Sequence, residues 1–213
     1  MKLSETANRF RRKVFARYEA WRDGALDRRY GIDTSCARNP AADAPGWLHA
    51  YHGYYYEPIQ LAVFQRIMQS LPLDASQLTF VDFGCGKGRA LVLAAEHGFR
   101  RIIGIECDAS LVAAARRNVG AYCSAAKRRH DIELHLGDAT QYDLPAGDCL
   151  CFFYNPFDEF AMQSVLARIE RSSREKPRRL LVVYRNPRHA GVMLRTGFLR
   201  RLVQNPSFEV YAG

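Results

Sequence analysis

Three acidic residues and a run of glycines are spaced as a ligand site. Val81–Arg89 reads VDFGCGKGR, with Gly84, Gly86 and Gly88 alternating with Cys85 and Lys87. Glycines at that spacing permit a tight turn between a strand and a helix, and they let a ligand approach the backbone amides of the helix N-terminus. A dinucleotide fingerprint requires glycine at position 89, where this chain has Arg89. Asp82, two residues before Gly84, would repel a pyrophosphate but suits a ligand that carries an ammonium group. Glu106, 22 residues after Gly84, stands where a carboxylate accepts hydrogen bonds from ribose hydroxyls. A third acid, Asp138, follows in LGDA, where it also reads as a helix cap. Further on, the Asn155 amide carbonyl of Asn155-Pro156-Phe157 can accept N–H bonds from an amine. Aromatic faces of Phe153, Tyr154 or Phe157 favour cationic charge beside it. The same tripeptide also reads as a plain turn that ends a strand.

The elements that must position these residues follow from hydrophobic periodicity. Apolar runs at 78–83, 101–106, 132–138, 149–155 and 179–186 are rich in Val, Ile, Leu and Phe, as strands buried on both faces are. Helical stretches lie between them, among them RALVLAAEH, ended by Gly98, and ASLVAAARRN. This alternation predicts an α/β fold with a doubly wound, mostly parallel sheet. The last two runs, 198–204 and 207–212, are joined so closely that they must pair antiparallel. Upstream, Leu3, Ala7, Phe10, Val14, Tyr18 and Trp21 form one helical stripe, which Gly24 and Gly31 interrupt. A second helix is expected from Glu57-Pro58, with the stripe Ile59, Val63, Ile67 and Leu71 and a stop at Pro72.

With 213 residues, 48% of them hydrophobic, the chain supports one sizeable core. No apolar run is long enough to span a bilayer, and the N-terminus carries no secretory h-region, so a cytoplasmic protein with free thiols is expected. Its six cysteines form no C-x-x-C pair, and no residues stand at metal-ligand spacing. The net charge of +9 is concentrated in residues 1–30 and 168–188. Such clusters read either as a nucleic-acid footprint or as solvated helix faces, and the second reading is favoured.

The loop, the acids and the terminal hairpin resemble the class I S-adenosylmethionine-dependent methyltransferases over residues 57–213. D-F-G-C-G-K-G matches that family's first motif, IGIE its second, GDA its third and FYNPF its fourth. The resemblance implies a seven-stranded sheet and S-adenosyl-L-methionine as cofactor. It implies that Asp82, Phe83, Gly84, Cys85, Gly86 and Gly88 hold the methionine moiety, Glu106 and Cys107 the ribose, and Asp138 with Ala139 the adenine. Asn155, Pro156 and Phe157 then form the acceptor site, with Asn155 also touching the cofactor. The chain has one proline there, where family members acting on exocyclic or amide nitrogens show two. The upstream ALDRRYGIDTS and YYYEP resemble small bacterial members of unassigned substrate, and YEP before the loop is similar to a histone-lysine methyltransferase family. On that likeness Tyr56 and Glu57 join the cofactor site.

The resulting expectation is an N-terminal helical cap over residues 1–56, acting as a lid, and a catalytic core over 57–213. The expected reaction is N-methylation of a protein side chain or another large acceptor. With three acids committed to the pocket, the exterior is more basic than the total charge suggests, which favours an acidic acceptor. Alternatives are an RNA or DNA methyltransferase, a nucleic-acid-binding protein and an NAD-dependent oxidoreductase.

Overall fold

The computed structural model describes residues 20–36, 56–71, 74–127 and 130–213. The N-terminal stripe from Leu3 to Tyr18, Tyr51–Tyr55, Pro72 and Arg128-Arg129 lie outside the described residues. The chain builds a helix over 20–30 (α1) and then α2 (Leu61–Gln69). The alternating part follows: β1 (Thr79–Phe83), α3 (Arg89–His97), β2 (Arg101–Glu106), α4 (Ala109–Ala126), β3 (Asp131–Leu136), β4 (Cys149–Tyr154), α5 (Glu159–Glu175), β5 (Leu180–Arg185) and α6 (Ala190–Arg195). It closes with β6 (Arg200–Asn205) and β7 (Phe208–Ala212).

Side-by-side order in the seven-stranded sheet is β3-β2-β1-β4-β5-β7-β6. The first five strands pair in parallel, and β7 inserts antiparallel between β5 and β6. The order reverses beside β1, so the β1 and β4 carboxyl ends flank the switch point where open α/β sheets bind ligands. Alternate side chains of the central strands feed two cores. Phe80, Ile102, Leu150, Phe152, Leu181 and Val183 pack beneath α2, α3 and α4. Val81, Phe83, Ile103, Cys151, Phe153 and Val182 pack beneath α5 and α6. Leu26, Tyr30 and Ile32 belong to the first of these cores, so the α1 segment shares its packing with the sheet.

Three local expectations are corrected. α1 continues through Gly24 and ends at Gly31, whose φ of 64° is left-handed; a glycine inside a helix weakens it without breaking it when tertiary contacts hold both sides. α2 begins at Leu61 and not at Glu57, because residues 57–60 run extended up to the N-cap Gln60. β3 is half-buried or exposed along its length, since it is an edge strand carrying Asp131, Glu133 and His135. No helix among the described residues is long and apolar enough to cross a membrane.

Candidate active site

β1 delivers the chain into the glycine loop, and the loop is tied to β2. The amides of Gly84 and Cys85 donate to the Ile105 carbonyl at 2.9 and 3.0 Å. Two glycines there are required by close approach. A Cβ on Gly86, at φ 53°, would lie 2.3 Å from the Tyr56 ring, and one on Gly84, at φ 85°, would lie 2.7 Å from Pro156 Cβ. The loop is therefore bracketed by Tyr56 from upstream and by Pro156 from the end of β4. Three segments named by the sequence, 56–57, 82–88 and 155–156, meet here.

Asp82 and Glu106 are brought together in the floor of this site, and both are buried. Asp82 accepts no hydrogen bond from any described residue. Burial, and then the charge of Glu106, hold its carboxyl well above the ordinary carboxylate range. Glu106 is differently placed. Its Oε2 accepts from the Gly86 amide at 2.9 Å, and its Oε1 from the amides of Cys107 and Asp108 at 2.9 and 3.0 Å. Burial still raises its pKa, against the pull of those amides. A carboxylate offers about four lone-pair positions. Glu106 thus fixes the loop against the start of α4 and keeps one position, on Oε2, for a ligand hydroxyl.

The other sequence-named residues divide between site and scaffold. Asp138 is exposed at the end of β3 and caps a short 3-10 turn, accepting from the Thr140 amide at 2.8 Å, while Ala139 beneath it is buried. Phe83 turns into the core and stacks on Phe153, with ring centroids 4.8 Å apart. Cys85 is buried against the loop, and burial pushes its thiol well above the usual range. The Cys107 thiol is pushed up to about 12 by burial and by Glu106. Glu57 is exposed, and burial together with its charge raises the pKa of the neighbouring Tyr154 hydroxyl. Asn155 is buried in left-handed backbone, φ 43°, and its Oδ1 accepts from the Tyr184 hydroxyl at 3.2 Å. Phe157 sits edge-on to Phe153 at 6.4 Å.

A set of residues to which the sequence reading gave no structural role holds the loop from behind. Arg89 is 1% exposed and reaches Asp23 Oδ1 at 2.8 Å, Asp27 Oδ1 at 3.2 Å, Thr34 Oγ1 at 2.9 Å and the Ile59 carbonyl at 2.7 Å. Asp27 in turn accepts from the amides of Thr34 and Ser35 at 2.8 and 2.7 Å. Lys87, also buried, pairs with Asp33 at 3.1 Å. Asn118 on α4 donates to the carbonyls of Asp33 and Lys87, both at 3.0 Å. Lys87 in the loop and Arg89 directly after it thus turn toward residues 23–35. The signal lay in ALDRRYGIDTS, where Asp27 and Asp33 stand among the residues that meet Arg89 and Lys87.

A doubly wound sheet of this order, with a glycine loop and two buried acids at its carboxyl edge, is the arrangement that the resemblance to class I methyltransferases implied. Residues 80–176, somewhat under half of the chain, match the model of the family described as Methyltransferase domain. Among curated proteins, none matches it in sequence. Solved structures of similar fold include a protein from Pyrococcus horikoshii, at 13% identity over 71% of this chain and 87% of that one, with a TM-score of 0.52. Mitomycin 7-O-methyltransferase is similar at 17% identity over 71% of this chain and 52% of that one, TM-score 0.51. The pyocyanin biosynthetic protein PhzM is similar at 15% identity over 70% and 53%, TM-score 0.50. The chain thus spans about half the length of the last two, and at these identities the likeness is one of fold.

Class I domains take S-adenosylmethionine as methyl donor, and the site fits that group. Asp82 is buried beside the loop with no hydrogen bond from a described residue, and Gly84 and Gly86 let the loop backbone lie against Pro156 and Tyr56, where a Cβ would clash. Arg89, the residue that breaks the dinucleotide fingerprint, is the centre of the buried ion-pair set and does not face a pyrophosphate.

Proposed function

We propose that this protein transfers a methyl group from S-adenosylmethionine to a nitrogen of a protein side chain or of another large acceptor. The observation that carries the reading is Asp82, buried beside the loop and without a hydrogen-bond partner among the described residues. A charge in that position is costly unless a cation meets it, and the ammonium of the methyl donor supplies one. When bound, the donor provides an electrophilic methyl carbon on a sulfonium. Asp82 and the amides of the Gly84–Gly88 loop bind its methionine end, and the free position on Glu106 Oε2 accepts from a ribose hydroxyl. Ala139 and the turn capped by Asp138 border the adenine.

What the chain contributes to the chemistry is alignment. Pro156 packs on Gly84, so the turn after β4 is fixed relative to the loop. Asn155 Oδ1 retains a lone pair beside the one engaged by Tyr184, and it can accept an N–H from a neutral amine. That bond aims the amine's own lone pair without a strong base. Phe157 borders the same edge, and its ring face favours the positive charge that develops on the nitrogen.

RNA or DNA is the alternative acceptor. Of the basic block at 168–188, Arg168 binds Asp143, Arg174 binds Glu170, Arg178 binds the Ser172 carbonyl and Arg179 binds Asp148. These contacts favour a structural role for the block. Transfer of labelled methyl groups from the donor into cell lysate, fractionated into protein, nucleic acid and small molecules, tests the reading. Label is expected in protein or another large acceptor. Label confined to RNA or DNA would replace the acceptor class, and no label in any fraction would contradict the proposal.

A further inference from the structure

Residues 20–36 are fastened to the glycine loop by a set of polar contacts. The buried apolar side chains of this segment are Leu26, Tyr30 and Ile32. Asp33 Oδ2 pairs with the buried Lys87 Nζ at 3.1 Å, although the Asp33 side chain is itself 71% exposed. Lys87 Nζ lies 5.7 Å from the centroid of the Tyr56 ring, and the Tyr56 hydroxyl donates to the Thr34 carbonyl at 2.8 Å. The same ring lies against Gly86. Asn118 joins the set from α4. Its Nδ2 donates to the carbonyls of Asp33 and Lys87, and its Oδ1 accepts the Asp33 amide, each at 3.0 Å. Lys87 is therefore held by its ammonium and by its carbonyl, and both holds lead to Asp33.

The loop fastened in this way carries Gly84, Gly86 and Gly88, all at positive φ. Glycine has the most backbone freedom to lose, so such a loop is costly to order when a ligand binds. A loop already ordered by the rest of the protein avoids that cost at binding, and affinity rises accordingly. Charge gives a second reason. A ligand that brings a cation to Asp82 is disfavoured by an unpaired cation in the same loop, and Asp33 neutralises Lys87. Tyr56 is within electrostatic reach of both sets of charges: burial raises its hydroxyl pKa, the charge of Arg89 opposes the rise, and Asp27 and Asp82 add to it.

We propose that Asp33 and Asn118 are positioning residues for the methyl donor: they hold Lys87, and with it the glycine loop and Tyr56, so that docking of residues 20–36 and binding of the donor favour one another. Neither residue acts by touching the donor. The word donor rests on the methyltransferase reading, while the brace itself stands on the contacts. The coupling is reciprocal, because a site that binds better when the segment is docked must also hold the segment in place when it is occupied.

The test is amide hydrogen exchange on the full chain, with and without S-adenosylmethionine, in the wild type, Asp33→Asn and Asp33→Glu. Donor affinity is measured alongside by calorimetry. Without donor, Asp33→Asn is expected to speed exchange about fivefold both at 32–36 and at 84–88, with β4 and β5 unchanged. It should weaken donor binding about three- to tenfold, and Asp33→Glu should restore most of both. Asn118→Asp, which keeps the acceptor and removes the donor, should act in the same direction as Asp33→Asn. Bound donor should slow exchange at 32–36 in the wild type. Acceleration shared by β4 and β5 would show a general loss of stability and overturn the positioning role. Bound donor that leaves exchange at 32–36 unchanged would overturn it too, as would loop exchange and donor affinity equal in the wild type and Asp33→Asn. Joint acceleration of the two segments in Asp33→Asn, beside a wild type that binds no donor, would support the brace and overturn the methyltransferase reading.

Discussion

Arg89 and Asp27 meet at 3.2 Å in the protein interior, although 62 residues separate them in sequence. The pair joins the first residue of α3, directly behind the glycine loop, to α1. Removing one partner of a buried, hydrogen-bonded pair leaves the other charge without compensation and costs about 3–5 kcal/mol. Arg89→Gln is expected to lose stability on that scale in urea denaturation. Combining it with Asp27→Asn should cost less than the sum of the two single changes. Additive losses would show that the two side chains do not act as a pair.

Tyr56 closes over Gly86, where a Cβ would stand 2.3 Å from its ring, while its hydroxyl is held by the Thr34 carbonyl at 2.8 Å. Gly86→Ala therefore displaces Tyr56 and also forces a left-handed alanine, the latter costing about 1–2 kcal/mol. Weakened donor binding is expected in a calorimetric titration. Part of that loss should return in Gly86→Ala with Tyr56→Ala, because the clash is removed and the backbone strain is not. No recovery in the double variant would contradict the contact.

Asp82 and Glu106 have raised pKa values through burial, so the folded protein keeps protons that the unfolded chain has released. Their effect on stability is most favourable below the ordinary carboxylate range and is lost as pH rises toward the folded values. The protein without donor is thus expected to lose stability across that window. Binding of the donor's ammonium favours ionised Asp82, so it should release protons at pH below the raised pKa of Asp82 and cease to do so above it. Calorimetry in buffers of different ionisation enthalpy reads this directly. Asp82→Asn should abolish most of the release; if the release persists unchanged, Asp82 does not meet the cation.

Tyr184 on β5 donates to Asn155 Oδ1 at 3.2 Å. Tyr184→Phe removes the bond to Asn155 and the one accepted from the His189 amide, each worth about 0.5–1.5 kcal/mol, and is expected to lower methyl transfer about three- to tenfold. Donor affinity should be unchanged. A loss of donor affinity in parallel with turnover would point instead to a general loosening of the fold.

What could be read in the sequence follows the range of the interactions. Strands β1, β2, β4 and β5 and the loop between β1 and α3 are set by local patterns, and their positions agree with the structure to within a residue or two. The terminal hairpin followed from a connection too short for a parallel crossover. Asp82 and Glu106 were legible because each lies at the end of its own strand and the parallel register brings those ends together. The anchoring of the loop was not legible. Lys87 and Asp33 are 54 residues apart, Arg89 and Asp23 are 66 apart, and a charged residue on a helical pattern reads as solvent-facing until its partner is placed. Arg89 was noticed for the glycine it replaces, and the structure supplies the reason for an arginine there. Edge position, which leaves β3 half-exposed, is likewise a property of the sheet order and not of the segment.

The most direct measurement is a calorimetric titration of the intact protein with S-adenosylmethionine, alongside Asp82→Asn. Saturable binding in the micromolar range is expected for the wild type. A charge-assisted contact of about 1.5–3 kcal/mol at Asp82 corresponds to a roughly ten- to hundredfold weakening in the variant. Absence of saturable heat with the wild type, or equal affinity in Asp82→Asn, would contradict a donor site built around Asp82.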